Sequence, residues 1–315
     1  QPSRRAPSPA LLSAIPPARS PSPGVLGTRH PPGPIARPVP PAPSPLAPLP
    51  IGTGGLVPTI GLFITSFRVR ADIHADGWWN FVREPRFTAD TYVTMLTSTG
   101  QTESLFGNFL NSFIITIPAT IIPVTLAAAA AYAFAWLEFR GRDVLFLAVV
   151  ALLVIPIQMT FVPVLQLFNF THLTGNFVGI WLAHSAYGLP FAVYLLHSFF
   201  AGLPRSLIEA ARMDGSSELR TFLRIVLPLS VPGIASLAIF QFLGVWNDLL
   251  VAIIFLQSPD LQPMTVGVLK LLGTYGTEYG VLSAAAFLTM AVPLLVFFSL
   301  QRYFVQGLLA GSVKS

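Results

Sequence analysis

The stretch from Glu209 to Pro228 places a short polar segment, with Glu209-Ala210-Ala211 at its start and Gly215 at its centre, between two apolar regions. These residue types suit docking better than catalysis. Ser206 and Glu209 stand at the S-x-x-E spacing that predicts a capping box at the start of a short helix. Ala210 and Ala211 give that helix a smooth face that another protein can approach closely, and Leu207 and Ile208 add apolar contact. Gly215 permits the positive-φ turn that ends the helix. Pro228 suits the first turn of the next helix, where a missing N–H costs nothing. An ordinary capped surface helix would also use these residues, with Glu209 serving only backbone donors.

A second group with usable chemistry is Trp246-Asn247-Asp248, with Gln241 six or seven residues before it, close to the same helical face. An indole stacks on the C–H-rich face of a sugar, and amides or carboxylates bond its hydroxyls. The same three residues can instead lock two helices together. Asp248 follows an uncharged run, and a carboxylate at mid-membrane depth costs ~2.5–3.5 kcal/mol, so it must face a cavity or a partner. Gln158, just after Pro156, is a weaker candidate of the same kind. The five histidines include no i, i+4 pair, and His184 and His197 stand 13 apart, so no metal site is expected and each is read as structural or interfacial. Without cysteine there are no disulfides or thiolate-held metals. The only lysines, Lys270 and Lys314, follow no glycine-rich phosphate loop, so nucleotide hydrolysis has no place in this chain.

The elements that carry these groups are apolar. Of 315 residues 10% are charged and 53% hydrophobic, and mean hydropathy is +0.68, too little polar surface to cover a soluble globule. Charge-free runs cover Ser104–Leu137, Val144–Pro204, Ile225–Asn247 and Tyr279–Gln301. The second is long enough for two helices of ~20 residues, divided by the polar break Asn169–Asn176. Five spans follow, and Ile51–Phe67, interrupted by Pro58 and four glycines, makes a weak sixth. Prolines 118, 123, 156, 163, 190 and 293 are read as kinks that shape packing.

With six spans and both termini cytoplasmic, the inside carries the N-terminal arginines, Arg140, Arg142, Arg205, Arg212, Arg220, Arg224, Arg302 and Lys314. The outside carries Arg68, Arg70, Arg83, Arg86 and Lys270. The net charge of +5 and pI near 9.9 follow from this asymmetry, and no soluble basic face for nucleic acid is found.

Residues 1–50 hold 17 of the 30 prolines and are expected to be disordered, with the transmembrane domain over residues 51–315. No compact apolar core lies between a basic start and a small-residue cleavage site, so a secretory signal is not expected. Two origins fit this segment: a shifted reading frame or misplaced start that leaves half of the first helix, or a Pro-rich cytoplasmic tail.

Glu209-Ala-Ala, three residues, Gly215, nine residues, then Ile225-x-Leu227-Pro228 is the spacing of the cytoplasmic coupling loop in ABC importer permeases, which the chain therefore resembles. From about Val57 to Ser315 it is similar to their carbohydrate branch, as the second permease of maltose-type systems. That likeness is carried by Asn111-Ser112-Phe113, Ala130-Ala131-Tyr132-Ala133-Phe134-Ala135, Phe139-Arg140-Gly141-Arg142, Trp246-Asn247-Asp248 and Gln301–Leu308, with the tail Gly307–Lys314. Gly77-Trp78-Trp79 leans toward relatives that import α-glucosides or similar oligosaccharides. The resemblance implies an all-α membrane protein of about six transmembrane helices, with a coupling helix between the fourth and fifth. It assigns ATPase coupling to Ser206, Glu209, Ala210, Ala211, Asp214 and Gly215, and a substrate pathway to Gln241, Trp246, Asn247 and Asp248. It also implies a non-enzymatic subunit of the cell inner membrane that forms half of a sugar pathway. Its partners would be lipid, a second permease, ATP-binding subunits that use ATP and Mg, and an extracytoplasmic sugar-binding protein. The loop Gln257–Gly280 is the candidate contact for that binding protein, or a simple connector. The other class that fits is an ion-coupled secondary sugar transporter. It would be expected to show internal repeats and several intramembrane ionisable residues, where this chain offers Asp248.

Overall fold

The computed structural model describes residues 48–97, 105–274 and 279–312. The readings of residues 1–47, of 275–278 in the loop expected outside and of 313–315 lie outside the described residues. Among the described residues the chain is helical, apart from turns and one antiparallel bridge between Arg68 and Phe87. In chain order the helices are α1 (Pro48–Ser66), α2 (Arg70–Ala75), α3 (Asp90–Thr97), α4 (Leu105–Trp136), α5 (Arg142–Ala151), α6 (Ile157–Phe170), α7 (Phe177–Phe200), α8 (Arg205–Met213), α9 (Glu218–Thr221), α10 (Leu227–Leu229), α11 (Val231–Trp246), α12 (Leu250–Phe255), α13 (Met264–Thr274) and α14 (Tyr279–Ser312).

Three of these, α4, α7 and α14 over Tyr279–Gln301, are long and apolar enough to cross a bilayer unbroken. Two further stretches are bent. The third hydrophobic stretch, where Pro156 is expected to kink the helix, turns by as much as 104° between Val154 and Ile157. Pro156 causes the break: its ring disfavours helical geometry at the residue before it, and Ile155 is extended (φ −78°, ψ 119°). The stretch before Trp246 begins earlier than expected, at Glu218, and bends by 76° near Ser230. Pro228 therefore sits inside a helical path and does not open a new helix. Because it has no N–H to offer the preceding turn, the backbone widens to a π turn over Phe222–Val226 just before it. Pro232 is the proline in the first turn of α11. The weak first span is a 19-residue helix, α1, whose apolar part is Leu56–Ser66.

The helix ends sort into two groups. At one end lie the close of α4, the start of α5, the close of α7, and α8 and α9; Arg212 of α8 bonds the Trp136 carbonyl, and the Phe146 and His197 rings pack 4.1 Å apart. At the other end lie the close of α1, the starts of α4 and α7, and the segment from Asn247 to α13. There the Gly175 N–H donates to the Phe255 carbonyl (2.9 Å) and Tyr92 to the Ser66 hydroxyl (2.8 Å). Arg140, Arg142, Arg205 and Arg212 thus stand at the opposite end from Arg68, Arg70, Arg83 and Arg86. Arg68 is buried and bonded to Asp76, and this pairing holds the Asp76 carboxyl below the usual carboxylate range.

The core runs along α4 and α7. Ala127, Ala128 and Ala131 of α4, small residues that let two helix backbones approach closely, are buried with Ala192, Val193 and Leu196 of α7. Toward the other end Ile115 and Ala119 pack with Ile180, Ala183, Val251 and Phe255.

Candidate functional site

The polar segment folds into α8, but not by the expected capping box. Pro204 occupies the N-cap position without a side-chain bond, so Ser206 lies within the first turn and Glu209 caps nothing. Proline wins this place because its fixed φ suits a helix entrance and it has no N–H to satisfy. The other end behaves as expected. Gly215 has φ +74°, its N–H donates to the Arg212 carbonyl (3.1 Å), and the Ser216 N–H reaches the Ala211 carbonyl (3.0 Å). This pair of bonds is a Schellman closure, which needs the left-handed residue that glycine supplies.

The two faces of α8 differ. Ile208 and Ala211 turn inward, with Ile208 packed in the core beside Ala131, Leu196, Phe200 and Val226. Ser206, Leu207, Glu209, Ala210, Met213, Asp214 and Gly215 are exposed, Met213 to 83%. A polar cleft of about 200 Å3 lies beside this face, lined by Glu138, Arg142, Arg205, Glu209 and Arg212. The helix is held to its neighbours through Glu218. The Arg212 guanidinium donates to one carboxylate oxygen of Glu218 (2.9 Å), and the Tyr132 hydroxyl donates to the other (2.6 Å). Arg212 also donates to the Trp136 carbonyl (2.9 Å).

The second group is brought together with residues that sequence did not select. Gln241 reaches from α11 to α4, where its amide donates to the Ala119 carbonyl (3.2 Å), with the His184 carbonyl at 3.5 Å. Gly188 makes room for it, since a Cβ there would lie 2.4 Å from the Gln241 side-chain oxygen. Trp246 is buried among Phe109, Phe113 and Phe242, and its indole donates to the Thr289 carbonyl of α14 (3.0 Å). Asn247 is exposed, donates to the Leu243 carbonyl (2.8 Å), and lines a cavity of about 480 Å3 with Thr265, Leu269, Thr289 and Met290. One carboxylate oxygen of Asp248 accepts the Ala252 N–H at the start of α12 (3.1 Å) and lies 3.9 Å from His184 Nε2. Gln158 is exposed on α6. The buried His184 is the residue here that composition and spacing could not single out, because its partner is 64 positions away. Among the described residues no cluster of His, Cys, Asp or Glu is placed to hold a metal.

Residues 108–309 match the family model described as "Binding-protein-dependent transport system inner membrane component". The chain is 50% identical over 264 residues to the osmoprotective compounds uptake permease protein GgtD of Synechocystis sp., covering 82% of this chain and 87% of that protein. It is 49% identical over 261 residues to the alpha-glucoside transport system permease protein AglG of Rhizobium meliloti, covering 79% and 68%. A chain in the crystal structure of a bacterial ABC transporter involved in the import of alginate shares the fold, with TM-score 0.69 at 20% identity over 82% of this chain and 94% of that one.

Proposed function

The chain belongs to the family of binding-protein-dependent transport system inner membrane components, and from that premise we propose that it is one membrane-spanning subunit of an ATP-driven sugar importer. The observation that carries the reading is the exposed face of α8, closed by the left-handed turn at Gly215. In this reading α8 is cytoplasmic and docks a separate ATP-binding subunit through Ser206, Glu209, Ala210, Asp214 and Gly215, with Ala211 holding the helix from beneath. ATP and Mg are used by that subunit. A second permease supplies the other half of the path, and an extracytoplasmic binding protein delivers the sugar. Both termini are cytoplasmic. ATP-driven closure of the ATPase moves α8, and the attached spans rock to expose a central site alternately to each side.

Asn247 is the pathway residue with open space beside it, Asp248 follows it directly in the chain, and Gln241 and Trp246 support them from α11. The substrate class is α-glucosides, a choice supported by the likeness to AglG and by Gly77-Trp78-Trp79. Family membership leaves the ion-coupled alternative without support.

Glu209 is free of a capping duty, so its charge is available to the ATPase. Glu209→Ala and Glu209→Gln should therefore lose uptake and copurified ATPase to a similar degree. Gly215→Val, which forces a β-branched residue to φ > 0, should lose both as well. Normal uptake and normal ATPase recovery in Glu209→Ala and Gly215→Val together would remove α8 as the docking helix.

A further inference from the structure

Helix α4 is fastened at both ends to segments that the proposed transport cycle must move. We propose that α4 is the rigid member that carries displacement of α8 across the membrane to the outer loop, with Glu218 and Asn111 as the positioning residues of its two fastenings. This rests on the coupling role proposed for α8.

The inner fastening is the carboxylate of Glu218. It joins α9 to the buried Tyr132 of α4 and to Arg212 of α8, and Arg212 in turn bonds the last carbonyl of α4, that of Trp136. Three elements meet at one side chain, so α8 cannot shift without pulling on α4. The outer fastening is equally specific. Asn111 donates to the Asp260 carbonyl (2.7 Å), Asn108 donates to the Gln262 carbonyl (2.9 Å), and Ser112 accepts the Met264 N–H (2.8 Å). All three side chains are more than nine-tenths buried. Gly267 of α13 lets the outer loop sit directly on α4, because a Cβ there would stand 2.7 Å from Leu105.

About 32 Å of helix separates Asn111 from Tyr132 at the α-helical rise. Two prolines lie between them, and each removes one intrahelical bond, which by itself would make α4 a hinge. Pro118 frees the Ile114 carbonyl and Pro123 frees that of Ala119. Trp181 of α7 donates to the first (2.8 Å) and Gln241 of α11 to the second (3.2 Å). The two weak points are thus clamped to neighbouring spans, and α4 moves with α7 and α11 as one body. A packed, bonded path of this kind is what transmission between distant sites requires.

The test uses the complete importer in proteoliposomes and reads ATP hydrolysed per sugar imported. The unsubstituted complex is measured first; if it imports no sugar with ATP, the coupling role itself fails. Glu218→Gln, Tyr132→Phe and Asn111→Ala should each assemble and hydrolyse ATP, with the ATP-to-sugar ratio raised on the order of fivefold. Because Tyr132 and Glu218 share one bond, the double Tyr132→Phe, Glu218→Gln variant should be no worse than the poorer single one. An unchanged ratio in all three single variants would overturn the inference. So would failure of Glu218→Gln and Asn111→Ala alike to assemble, which would assign both to folding alone.

Discussion

The Gln241 side-chain amide lies 3.2 Å from the Ala119 carbonyl, the one that Pro123, four residues on, leaves without a helical donor. The relation recurs. Trp181 donates to Ile114, freed by Pro118, and Trp246 donates to Thr289, freed by Pro293. In hydrocarbon no water is at hand for such a carbonyl, so a proline in a span is tolerated where another helix supplies the bond. Three interhelical contacts of the bundle follow from three prolines.

Replacing Gln241 with leucine should leave the Ala119 carbonyl unpaired and lower the stability of the purified complex by about 1–2 kcal/mol. Pro123→Ala restores an N–H to α4, so in that background the same Gln241→Leu change should cost much less. Thermal unfolding of the two single variants and the double one measures this. Additive losses would show that the bond to Ala119 is not what Gln241 contributes.

Much of this was open to sequence reasoning, and the exceptions have definite causes. The charge-free runs located the spans because a bilayer admits few charges, and Gly215 announced its turn because only glycine enters that conformation freely. The prolines are equally visible in the sequence, though read there only as kinks; the carbonyl that each frees lies four residues before it. Which side chain answers it is a matter of helix neighbours, so Gln241 and Trp246 read as pathway residues without their bonds to Ala119 and Thr289. The capping box fails for a local reason: Ser206 and Glu209 have the right spacing, but Pro204 takes the N-cap position two residues before Ser206. The 104° turn at Pro156 is legible in the sequence only as a kink, since a proline shows where a helix can break and not by how much.

Asp248 accepts the Ala252 N–H, and asparagine at this position keeps an acceptor while removing the charge. Asp248→Asn should therefore assemble normally and require several times more sugar-loaded binding protein for half-maximal ATPase stimulation. Asp248→Ala also loses the bond at the start of α12, worth about 1 kcal/mol. An assembled Asp248→Asn complex with an unaltered response would exclude the carboxylate from the sugar path.

The chain contains no cysteine, so single introduced thiols report on sidedness directly. Asp143, whose side chain is 88% exposed at the α4–α5 connection, and Ser258, exposed beyond α12, lie at opposite ends of the bundle. A membrane-impermeant maleimide added to intact cells should label the Ser258→Cys variant and spare Asp143→Cys until the membrane is opened. Labelling of both from outside would contradict the arrangement with α8 in the cytoplasm.

The energy source of transport tests the account most directly. Proteoliposomes holding this chain with its second permease and ATP-binding subunits, loaded with ATP and Mg and given binding protein and a labelled α-glucoside outside, should accumulate the sugar at the same rate with and without an uncoupler. They should take up none when ATP is omitted. Uptake that proceeds without ATP and collapses on adding the uncoupler would contradict it.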